Sequence, residues 1–106
     1  MHRELGPGFL ESIYENALVI ELQERNLRVE QQLIVPVTYH GRPVGQHRLD
    51  LLVESTIVVE LKTVVDFEDV HFSIVRSYLK ALKLRHGLLL NFAQRTLTVK
   101  RVIAEQ

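Results

Sequence analysis

The stretch "RLDLLVESTIVVELK", residues 48–62, decides the fold because it predicts two apolar β-strands joined by a tight turn. Asp50, Glu60 and Lys62 interrupt the apolar runs of this predicted hairpin. Side chains alternate along a strand, so Glu60 and Lys62 share one face of the sheet. Two carboxyl groups and an amine therefore fall where the tendency toward burial is highest, which raises the question of what stabilises them.

The length of the turn determines whether the two carboxyl groups meet. A three-residue turn over residues 54–56 pairs Asp50 with Glu60, and their Cβ atoms then lie about 4.5–5.5 Å apart. A two-residue turn puts them on opposite faces of the sheet. The apolar pattern leaves the register open, because both faces of the two strands are apolar. One face of the second strand is expected to carry Leu49, Leu51 and Val53.

Close carboxylates in an apolar sheet need a compensating positive charge. Two like charges about 4 Å apart repel by roughly 4 kcal/mol at an effective dielectric constant near 20, and burial adds a desolvation cost. Lys62 could offset one of the charges in an internal salt bridge, whereas a divalent cation would offset both. Oxygen-only ligands favour a hard ion such as Mg²⁺, Mn²⁺ or Ca²⁺. On spacing alone, the salt bridge and the metal site are equally favoured.

Composition excludes several classes of protein. The 106 residues suit a single domain spanning residues 1–106, and 46% apolar with 25% charged residues is typical of globular proteins. No apolar run approaches the ~18 residues of a membrane span, and the start of the chain has no signal-peptide pattern. The absence of cysteine excludes disulfides and fits a cytoplasmic location. Thirteen basic and thirteen acidic residues cancel, so nucleic-acid binding would require local clustering of positive charge.

The segments around the hairpin predict a mixed α/β fold: a helix, a three-strand meander, a second helix and two more strands, with the mixed sheet flanked by the two helices. Pro36 favours an edge or bulged position in the first strand. Asp66 or Asp69 could cap the second helix, and Gly87 lies just past its end. The predicted helices cover residues 10–25 and 65–87, and the predicted strands cover residues 31–40, 44–53, 57–63, 88–92 and 96–103.

The spacing of the three polar residues resembles a known signature. Asp50, Glu60 and Lys62 form D-x9-E-x-K, which is similar to the motif of the PD-(D/E)XK nuclease-like superfamily. That resemblance implies a restriction-endonuclease-like core and a metal-dependent phosphodiesterase acting on DNA or RNA. It also implies that Asp50 and Glu60 bind Mg²⁺ or Mn²⁺ and that Lys62 orients or activates the attacking water.

The N-terminal region resembles one group within this superfamily. Gly8, Glu11 and Tyr14 form G-x-x-E-x-x-Y, which is similar to the pattern of the GxxExxY proteins, as are "HRELGPGFLESIYENAL", "VELK" and "LKLRHGLLLNF". The resemblance implies that Glu11 on the first helix completes the metal site. At this size and with zero net charge, a homodimer or a partner could be needed to build a nucleic-acid groove.

Further candidates for substrate contacts are less specific. Tyr14 could hydrogen-bond a phosphate or simply pack with its hydroxyl at the surface, and Arg48 could contact a phosphate or pair with a neighbouring carboxylate. His71 and Tyr78 lie two turns apart on one face of the second helix. Many nucleases of the superfamily carry a polar residue where this chain has Ile74. The alternative is therefore an inactive module of the same fold that binds nucleic acid or a protein partner.

Overall fold

A mixed sheet lies between two long helices in the computed structural model, which describes residues 1–105. None of the helices in this described part of the chain is long and apolar enough to span a membrane. The elements are α1 (His2–Leu5), α2 (Glu11–Glu24), β1 (Val29–Tyr39), β2 (Arg42–Val53), β3 (Ile57–Lys62), α3 (Asp69–Leu82), β4 (His86–Asn91) and β5 (Thr98–Ile103).

The five strands lie in sequence order, β1-β2-β3-β4-β5. Short turns join β1, β2 and β3 into an antiparallel meander, and α3 is the crossover that lets β3 and β4 run parallel. Strand β5 then returns antiparallel to β4. The predicted order of elements and the mixed sheet flanked by helices are confirmed, and Pro36 lies in the edge strand β1 as predicted.

Apolar side chains cover both faces of the sheet, which explains why its central strands are apolar on both sides. Helix α3 packs on one face through Val75 and Leu79, and α2 packs on the other through Tyr14. The buried cluster on the α3 side contains Val35, Leu49, Leu52, Val58, Val75, Leu79, Leu89 and Val102. The buried cluster on the α2 side contains Tyr14, Leu51, Val53, Val59, Leu61, Leu90 and Phe92.

The alternation of side chains along β2 breaks beside Asp50. Leu49 packs in the cluster on the α3 side, whereas Leu51 and Val53 pack on the α2 side. The prediction that these three residues share one face is therefore wrong for Leu49. The cause is an irregular position in the β1–β2 ladder, where the pair between Gln32 and Asp50 is missing and Gln32 has a left-handed backbone with φ of 53°.

Helix α3 begins later than the sequence predicts. Glu68 occupies the N-cap position, so the prediction of a cap at Asp66 or Asp69 is wrong. The backbone N–H of Glu68 donates a hydrogen bond of 2.8 Å to Nδ1 of His71, three residues further along the helix. This hydrogen bond gives a partner to a backbone donor at the start of the helix.

Helix α3 also ends earlier than predicted, at Leu82, and Lys83 closes it with a left-handed backbone. The prediction that Gly87 follows the helix is wrong, because Gly87 lies inside β4. A Cβ atom at this glycine would lie 2.8 Å from Cγ1 of Val75. The glycine therefore serves close packing between α3 and the sheet rather than termination of the helix.

Candidate active site

The strands β2 and β3 separate where the acidic residues lie. Their ladder pairs Val53 with Ile57, which confirms the three-residue turn, and it extends for only three residue pairs. Asp50 and Glu60 occupy the next position along the two strands. Beyond it, β2 remains paired with β1 and β3 with β4. The two carboxyl groups therefore lie in a fork between neighbouring strands.

Each carboxyl group in the fork accepts a hydrogen bond from the opposite strand. The N–H of Asp50 donates to Oε1 of Glu60 at 2.8 Å, and the N–H of Leu61 donates to Oδ2 of Asp50 at 2.9 Å. These side-chain oxygens take the place of the carbonyl groups that a continued ladder would supply. The structure thus brings Asp50 and Glu60 together, and only 4% of Glu60 is exposed.

Burial and neighbouring charge change the acidity of this pair. Desolvation, followed by the charge of Asp50, raises the pKa of Glu60 to about 8, against smaller opposing effects of a backbone hydrogen bond and of Lys62. Desolvation is also the largest cause of the raised pKa of Glu11. Among residues 1–105, Lys62 forms none of the close ion pairs. The internal salt bridge that the sequence left open is therefore not observed.

Helix α2 places Glu11 beside the end of β3. Glu11 is the first residue of the helix, and its Oε2 lies 3.5 Å from the hydroxyl of Thr63, one residue beyond Lys62. Glu11 lies near enough to Lys62 and Asp50 for their charges to act on its pKa, although desolvation has the larger effect. The structure therefore brings the predicted acid of the first helix to the fork.

Tyr14 fixes the loop that leads into α2. Its side chain is fully buried, and its hydroxyl donates to the carbonyl of Gly6 and accepts the N–H of Phe9 at 3.2 Å. Gly8, between them, has φ of 105°, which favours glycine. This position does not support the expectation that Tyr14 contacts substrate, because the side chain is buried and its hydroxyl already has two hydrogen-bond partners. Tyr14 instead sets where α2, and with it Glu11, begins.

A second acid on α2 was not predicted from the sequence. Glu15, one turn after Glu11, is only 7% exposed. Its two oxygens accept hydrogen bonds from Nε2 of Gln31 at 2.6 Å and from Nε2 of Gln32 at 2.8 Å. The same Nε2 of Gln32 lies 3.3 Å from Oδ1 of Asp50. Glu15 follows Glu11 by four residues, so the sequence places both on one face of the helix. Because glutamates are rarely buried, this spacing alone did not predict that Glu15 is buried beside the site.

Comparison with known families decides the relationship. The profile of the PD-(D/E)XK nuclease superfamily matches residues 1–102. The chain belongs to the PD-(D/E)XK nuclease superfamily. PD-(D/E)XK nucleases typically use divalent metals, and membership suggests a nuclease-like function and an interaction with nucleic acid.

A solved structure supports the restriction-endonuclease-like fold of this superfamily member. The crystal structure of SSO0001 is similar to the chain, with a TM-score of 0.69 and 17% sequence identity, and the match covers 90% of this chain. The match covers 50% of SSO0001, so the chain spans half the length of that protein. At this identity the likeness concerns the fold alone. No curated protein matches the chain.

The donor atoms of the fork fit the divalent metals of the superfamily. Asp50 and Glu60 offer only oxygen atoms, which hard cations prefer. A cation would offset both the desolvation and the repulsion by Asp50 that raise the pKa of Glu60. Within residues 1–105, no three His, Asp or Glu side chains are already arranged to hold a metal ion. A third ligand from Glu11 would therefore require a change in side-chain conformation.

Helix α3 brings Tyr78 to the other side of the fork. Burial and the charges of Glu60 and Asp50 raise the pKa of Tyr78 to about 12, so its hydroxyl stays protonated at neutral pH. Its ring contacts the ring of His47 edge to face, with centroids 4.8 Å apart. Tyr78 is therefore a neutral hydrogen-bond donor whose pKa is raised mainly by burial and, to a smaller extent, by Glu60 and Asp50.

The remaining candidates lie on β2 and on α3. Arg48 is exposed on β2, two residues from Asp50, and takes part in none of the close ion pairs of residues 1–105. His71 lies at the start of α3, where its Nδ1 serves the helix cap. Ile74, one turn before Tyr78 on α3, is an apolar side chain that is 39% exposed.

Proposed function

We propose that this chain is a metal-dependent phosphodiesterase of the GxxExxY group that cleaves DNA or RNA in the cytoplasm. Asp50 and Glu60, joined by Glu11, would hold Mg²⁺ or Mn²⁺. The observation that supports the proposal is the fork. In it, Asp50 and Glu60 each accept a hydrogen bond from the backbone of the opposite strand, and Lys62 forms an ion pair with neither of them. When bound, the divalent ion would neutralise phosphate charge and lower the pKa of water.

Lys62 would act on the phosphate or on the attacking water. It lies two residues after Glu60 on β3 and is opposite Asn91 in the parallel ladder with β4. The amide of Asn91 holds the following loop through two hydrogen bonds with the backbone of Val64, of 3.2 and 2.8 Å. The backbone around Lys62 is therefore held by β4 and by Asn91, and its ammonium group would stabilise charge developing on a phosphate oxygen.

Two side chains beside the acids would contact the nucleic acid. Arg48 is exposed and outside the close ion pairs, so its guanidinium group is available for a bidentate contact with a phosphate. Tyr78 would donate its protonated hydroxyl. A single chain of 106 residues with zero net charge offers little surface and little attraction to a polyanion, so we extend the proposal to a homodimer whose second copy completes the groove by shape rather than by added net charge.

A second candidate function is a binding module that keeps the fold but does not cleave. The exposed Ile74, one turn from Tyr78, removes a polar side chain from the edge of the site. The lack of three preassembled metal ligands in residues 1–105 also favours this alternative. Such a module would bind nucleic acid or a protein partner with the same surface.

Cleavage assays on single- and double-stranded DNA and RNA, with and without Mg²⁺ or Mn²⁺, test the proposal. We expect metal-dependent cleavage by the wild type and a loss of at least about 100-fold in Lys62→Met. Lys100→Met, which changes an exposed lysine on β5, is the matched control and should retain activity. Metal and nucleic-acid binding without turnover would support the binding module. Binding of neither metal nor nucleic acid would contradict the phosphodiesterase and the nucleic-acid-binding module, and would leave only a module that binds a protein partner.

A further inference from the structure

Gln32 has a backbone conformation that its residue type rarely adopts. It lies within the edge strand β1 with φ of 53°, in the left-handed region that favours glycine and asparagine. It is also the position at which the ladder between β1 and β2 loses the pair with Asp50. Both strands are otherwise continuously paired around this point, so the irregularity requires a local cause.

The side chain of Gln32 supplies that cause. Its Nε2 lies 2.8 Å from Oε1 of Glu15 and 3.3 Å from Oδ1 of Asp50. A glutamine amide nitrogen carries two hydrogens, so it can donate one to each carboxylate. One neutral group thus connects two acids that would otherwise repel each other. A regular strand would direct the side chains at positions 31 and 32 to opposite faces, whereas here both amides reach α2.

Glu15 is a firm anchor for this bridge. It is buried on α2, and its second oxygen accepts a hydrogen bond of 2.6 Å from Gln31. Asp50 is consequently held at both oxygens: Oδ1 by Gln32 and Oδ2 by the N–H of Leu61 at 2.9 Å. The bridge therefore fixes the direction in which the carboxylate of Asp50 points within the fork.

We propose that Gln32 is a positioning residue, which holds the carboxylate of Asp50 toward the fork by linking it to the buried Glu15. The inference rests on the proposed function in assigning Asp50 to a metal, but the bridge itself is a property of the metal-free protein. Partners that orient a metal ligand in this way affect metal affinity even though they do not touch the ion.

Hydrogen exchange of the Leu61 amide tests the bridge without any metal. Gln32→Met keeps the length of the side chain and removes both donors, and Gln31→Met is the matched control, because Gln31 contacts Glu15 but not Asp50. We expect Leu61 to exchange several-fold faster in Gln32→Met, relative to the slowest amides of the β3–β4 ladder, and to be unchanged in Gln31→Met. Gln32→Gly, in which glycine accepts the left-handed backbone, is a second variant should the first fail to fold.

Titration with Mn²⁺, followed through thermal stability, tests the effect on the metal site. The concentration at half-maximal stabilisation should rise about tenfold in Gln32→Met and stay constant in Gln31→Met. Equal Leu61 protection in the wild type and Gln32→Met, or equal losses in both variants, would overturn the assignment of Gln32. If Mn²⁺ does not stabilise the wild type, the proposed function fails, and the exchange of Leu61 still decides whether Gln32 positions Asp50.

Discussion

Replacing Glu60 by glutamine should remove most of the pH dependence of stability near neutral pH. The pKa of Glu60 is about 8 in the folded protein, whereas the ordinary pKa of a glutamate in an unfolded chain is 4.5. An acid with a raised folded pKa binds more protons when folded, so the free energy of unfolding falls as the pH rises between these two values. The slope reaches about 1.4 kcal/mol per pH unit. As the pH rises from about 5 to 7, the ionisation equilibrium of Glu60 should therefore lower the free energy of unfolding by roughly 2.5 kcal/mol.

Glu60→Gln keeps the shape of the side chain and the acceptor oxygen for the N–H of Asp50, which is 2.8 Å away. The variant cannot ionise, so it should be more stable than the wild type by about 3 kcal/mol near pH 7 and nearly equal to it near pH 4. Urea unfolding at several pH values in the presence of a chelator measures this difference. Taking the difference between the two proteins cancels the contribution of the other titrating groups.

Glu30→Gln is the matched control, because Glu30 is an exposed glutamate on β1. This variant should follow the pH profile of the wild type. Parallel profiles for the wild type and Glu60→Gln would refute the reasoning, since they would mean that Glu60 ionises as easily in the folded protein as in the unfolded chain.

A divalent cation and the Tyr14 hydroxyl should each make a measurable contribution to stability. Mg²⁺ or Mn²⁺ should raise the melting temperature of the wild type, by an amount equivalent to about 2.7 kcal/mol at a hundred times the dissociation constant. Asp50→Asn should abolish this rise while retaining an oxygen for the N–H of Leu61, and an equal rise in the variant would exclude Asp50 as a ligand. Tyr14→Phe should lower the free energy of unfolding by about 1–3 kcal/mol in urea titrations, because it leaves the partly buried carbonyl of Gly6 and N–H of Phe9 without their partner. An unchanged value would mean that water replaces the hydroxyl.

The strands and helices could be predicted from the sequence because their apolar patterns are strong and their turns are well marked. The convergence of Asp50 and Glu60 could be predicted only as one of two registers, because the apolar pattern did not determine the length of the turn. The ends of α3 were harder, because the predicted caps at Asp66 or Asp69 compete with Glu68, and Gly87 serves packing instead of helix termination. Local chemistry alone does not distinguish these uses of the same residue types.

The environment of Asp50 could not be predicted for a different physical reason. No glycine or asparagine marks the left-handed position at Gln32, so the break in alternation that moves Leu49 to the other face has no signature in the sequence. The burial of Glu15 depends on two glutamines that reach it from β1, across a long separation in sequence. Likewise, Tyr14 has the spacing of a site residue but becomes a core residue once its loop folds around it.

The short ladder between β2 and β3 has a mechanical consequence. With only three residue pairs, this ladder has fewer hydrogen bonds than the β1–β2 and β3–β4 ladders on either side. It divides the sheet into two parts, β1–β2 and β3–β5, which are joined at the hairpin turn. Beyond the ladder, the side chains of Asp50 and Glu60 make the hydrogen bonds that join β2 to β3. A ligand that binds both side chains would bring the two parts of the sheet together, whereas repulsion between the two carboxylates would separate them. The rigidity of the whole sheet should therefore increase when the site is occupied.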